Sequence, residues 1–264
     1  MKLNITKTKA IVFSIAPIPP KLPLLYLEGA TIEEVDTYKY LGAWVDRKLV
    51  WNVHTKKKIS EAKQALGSLS RCRRYLPPSV TRLVYKTIIQ PQFLYAISIT
   101  YPKNKKDQIS LEYVNKYAAS LISDKHTGLY DDLLITANLH PIWKIVVDRR
   151  VSQLRSYVDG KRFIPEGFLT LVEPSSRPGL RSSDARPNVN MKSFAPPIYS
   201  RRQQCERTAL SEMIRLWNAL PSSQIALTSN SFRSNIKNGE ITQSLIKSKT
   251  IQPLIVPVRY PTWP

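Results

Sequence analysis

Apolar and polar positions change their period along this chain, and the changes mark its elements. Through residues 1–50 short apolar runs read as strands: Ala10-Ile11-Val12-Phe13-Ser14, then Leu24-Leu25-Tyr26-Leu27 ahead of Glu28-Gly29, then Tyr38 to Val45. These runs favour β-branched and aromatic residues, which suit a pleated surface. A sheet of such short strands buries too little surface to offset its ordering entropy. The run therefore predicts a residual antiparallel sheet, the end of a larger one whose partner strands precede Met1.

From Val53 to about Arg74 the period becomes 3.6, with Ile59, Ala62, Leu66 and Leu69 three and four residues apart. On that amphipathic helix Lys56, Lys63, Arg71 and Arg74 share one wide sector beside the apolar stripe, while Arg73 falls on the stripe itself. Two readings of the sector stand: a solvated face, or a surface for a sugar-phosphate backbone. Pro77-Pro78 ends the helix, Ser79 caps the next, and Val80, Leu83, Val84 and Ile88 carry its apolar spacing as far as Pro91. Leu111, Val114, Tyr117, Ala118, Leu121 and Ile122 predict another helix, and Ile142, Ile145, Val146, Val151 and Leu154 one that begins after Pro141. A helical bundle is thus predicted over residues 51–160.

Residues 161–205 shift towards Pro, Ser and Arg, as in Pro174-Ser175-Ser176-Arg177-Pro178-Gly179, and read as a linker that buries little. Leu210, Met213, Ile214, Trp217 and Leu220 restore helical spacing before Pro221. A shorter helix is predicted from Ser231 to Lys237, and an irregular end from Ile251. Residues 206–264 are thus a helix followed by a loose tail. The expected fold class is α+β, predominantly α.

Charge sharpens the picture. Among 264 residues, 40 Lys and Arg against 19 Asp and Glu give a net charge of +21, which favours a polyanionic partner, nucleic acid first. With 42% hydrophobic residues the chain can build a core, so global disorder is not expected. Cys72 and Cys205 have no Cys or His near them at ligand spacing, so neither a disulfide framework nor a zinc site is indicated. No apolar run is long enough to span a membrane, and no membrane partner is expected.

Three separated motifs carry a family likeness. Asn4-Ile5-Thr6-Lys7-Thr8-Lys9 with the strand from Ala10 resembles the segment just after the active-site hairpin in reverse transcriptases of non-LTR, LINE-type retrotransposons of the jockey sort. Tyr40-Leu41-Gly42, preceded by Lys39 and followed by Trp51 and His54, resembles their primer-grip hairpin and the start of the first thumb helix. Leu216-Trp217-Asn218-Ala219-Leu220-Pro221 with Ser231-Phe232 resembles a short helix near the end of those polyproteins. Ala65 to Arg71, Leu94-Tyr95 and Asn138-Leu139-His140-Pro141 add to the same order.

The resemblance implies residual palm strands over 1–50, a thumb-like bundle over 51–160, and RNA-directed DNA synthesis as the parent reaction. Its partners would be RNA and DNA as a template–primer duplex, together with an upstream polymerase region. Nucleic-acid contacts are expected at Lys7, Lys9, Lys39, Tyr40, Leu41, Gly42, Lys56, Lys63, Arg71 and Arg74. Trp44, Trp51, Trp143 and Trp217 read as core residues before they read as base-stacking platforms. The family's paired metal-binding aspartates would precede Met1, so no catalytic or metal-binding residue is assigned, and magnesium is expected only for a full-length enzyme. Tyr130-Asp131-Asp132 imitates that pattern in letters, but it opens a predicted helix, where acids suit the positive dipole end. The expectation is therefore a grip that does not polymerise, in the nucleus or cytoplasm. The alternative is a domesticated or decayed element product that acts as a protein-interaction module.

Overall fold

The computed structural model describes residue 4 and residues 7–14, 23–125, 128–165, 169, 194 and 208–257. The chain divides into two compact units, Met1–Leu129 and Tyr130–Pro264. It is predominantly helical with small β ladders, the α+β class that the spacing predicts.

In the first unit the strands are β1 (Lys9–Ala10), β2 (Tyr26–Leu27), β3 (Ala30–Thr31), β4 (Glu33–Glu34), β5 (Thr37–Tyr40) and β6 (Ala43–Asp46). They do not form one antiparallel sheet. β2 pairs with β3 and β5 with β6 antiparallel, whereas β1 pairs with β4 in parallel. Strands of two to four residues cannot share a common buried face, so each pair stands as its own ladder. Ion pairs from Lys9 to Glu33 and from Arg47 to Glu34 (2.6 Å) and Asp36 (3.1 Å) tie the ladders laterally.

The helices of this unit are α1 (Asn52–Cys72), prolonged by a 3₁₀ turn at Arg73–Tyr75, then α2 (Pro78–Val84), a π-turn (Tyr85–Ile89), α3 (Gln90–Leu94), α4 (Ile97–Thr100) and α5 (Lys105–Ser123). α1 packs on α3 and α5, and α2 on α5. Ala62, Leu66 and Leu69 of α1 are buried, as are Phe93, Leu111, Val114 and Ala118. Pro91 does not end the second helical run. The wider π-turn just before it shifts the hydrogen-bond register, so a proline lacking its N–H sits within α3 without breaking the path. The buried face also differs from the predicted one. Thr81, Tyr85, Ile89 and Phe93, four residues apart, are buried, while Leu83 and Ile88 are each 59% exposed. Tyr85 donates its hydroxyl proton to Asn115 Oδ1 at 2.8 Å, and burial together with the nearby Glu112 carboxylate holds the phenol well above its ordinary pKa.

The second unit contains α6 (Tyr130–Ala137), α7 (Ile142–Val158), α8 (Ala209–Asn218), α9 (Ser222–Ile225), α10 (Ser229–Lys237) and α11 (Glu240–Lys247). α7 packs on α8, α10 and α11, so the helical stretch predicted over 51–160 is shared between the two units. Val151, Leu154, Met213, Ile214, Trp217, Phe232, Ile241 and Leu245 are buried together, with the Trp217 and Phe232 ring centroids 6.0 Å apart. Thr208 and Thr228 cap α8 and α10 by accepting from Ser211 N–H and Ser231 N–H. The helix α11 follows Gly239, which takes a φ of 79° and reverses the chain; its buried Ile241 and Leu245 carry helical order beyond the helix predicted to end at Lys237.

An arginine closes this unit. Arg155 donates to Ile225 O at 2.8 Å and Leu227 O at 2.7 Å, lies 5.0 Å above the Phe232 ring, and pairs with Asp159 at 2.8 Å. Burial disfavours the charge on Asp159, but hydrogen bonds from Ser229 and Arg155 and the charges of Arg155 and Lys161 outweigh it, so the carboxyl is held below its usual range. Most of the Pro, Ser and Arg-rich stretch lies outside the described residues. Phe194 within it is buried in this core, and its backbone exchanges two hydrogen bonds with the Asn218 amide.

Candidate nucleic-acid interface

Four of the residues expected to meet nucleic acid fall on one tight turn. In the hairpin β5–β6, Leu41 and Gly42 take φ of 45° and 85°, the paired positive angles that a two-residue hairpin turn with native twist requires. Glycine adopts that angle freely and leucine does not. Tyr40 is 60% and Leu41 72% exposed, so the tip presents apolar surface to solvent. A β-carbon placed on Gly42 would lie 3.6 Å from Tyr95 Cε1, which shows the tyrosine ring resting against the turn. Sequence reading had noted Tyr95 only as part of a likeness.

The helix α1 supplies the rest. Lys56, Lys63, Arg71 and Arg74 are all exposed, in a sector beside the stripe of buried Ala62, Leu66 and Leu69 and largely off it. The same side carries Ser60 and Gln64, and Glu61, the one acid of α1, lies at its edge, paired with Lys58 at 2.8 Å. Lys56 and Arg74 have no hydrogen-bond or ion-pair partner among the described residues, and Arg71 donates only to Ser68 Oγ at 3.3 Å. From Lys56 to Arg71 the stripe runs about 22 Å at 1.5 Å per residue. A duplex axis of that length carries about a dozen phosphates. Arg73 is not part of it, for it pairs with Asp124.

Two contacts to Trp44 fix the hairpin against α1. His54, 2% exposed, accepts the Trp44 N–H on Nδ1 at 3.2 Å, with the Trp51 ring edge-on at 6.5 Å. Lys57 Nζ sits 3.0 Å above the centre of the Trp44 ring, a cation–π contact. Lys39 is the cross-strand partner of Trp44, so the two share one face of the hairpin. Asp46 shapes the connection, accepting the N–H groups of Lys48, Val50 and Trp51 at 3.1, 3.0 and 2.8 Å. Those bonds hold Trp51 at a φ of 67°, from which α1 starts.

The His54 contact requires a neutral imidazole. Burial first, then the positive charge of Lys58, lowers its pKa from the ordinary histidine value, with Glu61 opposing. A base with a depressed folded-state pKa stays neutral while the unfolded chain takes up a proton, so stability is full above the unfolded value of about 6.5 and declines as pH falls below it. Denaturant midpoints recorded between pH 7.5 and pH 5 are expected to drop on the acid side. A His54→Asn variant, whose Oδ1 can take the same N–H without titrating, is expected to lose that part of the pH dependence.

The remaining expected contacts fare differently. Lys7 is exposed at the start of the chain, where its N–H binds Asn4, whereas Lys9 is spent on Glu33. Of the tryptophans, Trp217 is wholly buried and Trp143 packs on the same core. Asp131 and Asp132 lie in the first turn of α6, exposed and helical, as their spacing predicts. Among the described residues no three His, Cys, Asp or Glu side chains group as a metal site, and no helix is long and apolar enough to cross a membrane. Lys57 had not been foreseen as part of the site; nothing in its spacing separates it from Lys56, and only the fold places it over an indole.

No protein-family model matches this chain, and no solved structure matches it. It is similar to "Probable RNA-directed DNA polymerase from transposon BS" of Drosophila melanogaster, with 26% identity over 150 residues. The match covers 54% of this chain and 16% of that protein, so the chain corresponds to a small portion of its relative. The chain that carries this cationic helix and hairpin is thus similar, over 150 residues, to a transposon RNA-directed DNA polymerase.

Proposed function

We propose that this chain is the carboxy-terminal part of a retrotransposon reverse transcriptase, with a thumb-like bundle that grips template–primer duplex and no polymerising activity by itself. The observation that carries this reading is the stripe of Lys56, Lys63, Arg71 and Arg74, exposed and coupled through Trp44 and His54 to the turn at Tyr40-Leu41-Gly42. Cations on a rigid helix meet phosphates without reading bases, so they position a duplex of any sequence. Tyr40 and Leu41 offer an apolar edge for a terminal sugar and base, and Lys39 a phosphate contact beside them. The chain then contributes grip, and magnesium-dependent chemistry belongs to carboxylates of the longer polymerase.

Binding to an RNA–DNA hybrid is expected to be sequence-indifferent and to weaken steeply with salt, because each neutralised phosphate releases counterions. Fluorescence anisotropy with a labelled hybrid between 50 and 200 mM salt measures this. An affinity that stays flat across that range contradicts the reading, as does primer extension by the purified chain alone.

A further inference from the structure

The second unit carries a cationic surface that the duplex grip does not use. On α10 the outward positions are Asn230, Arg233, Ser234 and Lys237, all exposed and separated by three and four residues, and the helix has no acidic residue. Its inward positions are committed to the core through Phe232. Arg233 lines a small surface depression together with Arg155, Asp159, Lys161 and Ser229. The one acid there is neutralised: Asp159 is shared by Arg155, Ser229 and Lys161. Lys161 also donates to Ser229 Oγ at 2.8 Å, which fixes the segment after α7 beside the first turn of α10. Arg162 and Phe163 follow directly. The side chains of Arg162, Arg233 and Lys237 have no hydrogen-bond or ion-pair partner among the described residues, and Phe163 is 88% exposed.

A bare phenylalanine ring next to Lys161 and Arg162, with a further row of cations alongside, has the composition of a single-strand surface: cations follow the backbone while the ring takes the face of a base. A duplex keeps its base faces inside the stack and gives such a ring nothing to meet. Of the described tryptophans in this unit neither can serve, because Trp217 is buried and Trp143 packs on the core. We propose that Lys161, Arg162, Phe163, Arg233 and Lys237 form a binding site for single-stranded RNA or DNA, with Phe163 stacking on a base. It lies in a different unit from α1, and its success or failure is separate from that of the duplex grip.

The test uses the full chain and a labelled 15-nucleotide oligouridine. Phe163→Ala is expected to weaken binding about tenfold, within the range for loss of one stacked base, and Phe163→Trp to restore it. The pair Arg233→Gln and Lys237→Gln is expected to lower the salt slope by about 1.4, since each single-strand phosphate contact contributes about 0.7. Affinity for an RNA–DNA hybrid is expected to be unchanged by Phe163→Ala. The substituted side chains are on the surface, and an unchanged thermal midpoint verifies the fold. Oligouridine affinity within twofold of the parent chain in both variants overturns the proposal, as does loss of binding to phosphatidylserine vesicles with oligouridine binding intact.

Discussion

Replacing Lys56, Lys63, Arg71 and Arg74 together with glutamine is expected to lower the salt slope for duplex binding by about 3.6, since each phosphate contact on a duplex contributes about 0.9. Between 50 and 200 mM salt the parent chain should therefore lose on the order of a hundredfold more affinity than the variant. Glutamine keeps length and helix propensity, and all of these side chains are exposed, so the core beneath them is untouched. Titration of a labelled hybrid at several salt concentrations, with circular dichroism to verify the fold, decides the matter. A variant with an unaltered slope would show that the cations face water and nothing else. A smaller test isolates the hairpin: Leu41→Asp should weaken the hybrid complex and leave the slope of α1 in place.

The largest effect on stability is expected from Trp217→Ala. The side chain is wholly buried at the centre of the second unit, beside Phe232 and among Leu154, Met213, Ile241 and Leu245. Truncating a buried aromatic to alanine costs about 3–5 kcal/mol, because the lost apolar contact is compounded by a cavity that relaxes only in part. Domains have only about 5–15 kcal/mol to lose. Hydrogen exchange should show protection collapsing in α8, α10 and α11, and a urea midpoint should shift by a matching amount; a loss below about 1 kcal/mol would mean that the core does not depend on this ring. Phe232→Ala is expected to follow the same course, with the added loss of the surface beneath the Arg155 guanidinium.

What the sequence disclosed follows the physics that each pattern encodes. The faces of α1, α5 and α7 were legible because a long helix repeats its 3.6-residue period enough times for burial and spacing to agree. Trp217 and its neighbours were legible for the same reason. The face of the run from Pro78 to Leu94 was read a residue out, since its buried set starts at Thr81, a polar residue that a count of apolar spacing passes over. The antiparallel ladders at the start were legible as strands, but the parallel pairing of Lys9 with Glu33 was not, because it is set by contacts across the chain and not by alternation within a strand. At the site itself, the cations were legible from charge and angle. The bond from Trp44 N–H to His54 and the place of Lys57 over an indole were not, because both join elements whose mutual approach only folding decides.

The left-handed angle at Leu41 has a consequence for how anything docks on the hairpin. A residue type that disfavours such an angle is held there by the ladder on either side and by Tyr95 against its neighbour Gly42. The conformational cost, about 1–3 kcal/mol for a strained backbone of this kind, is met during folding and not at the moment of association. The tip thus arrives rigid, and a ligand that touches it forfeits little entropy in ordering the loop. Asparagine at position 41 would relax the backbone and make a sturdier protein with a blunter point of contact.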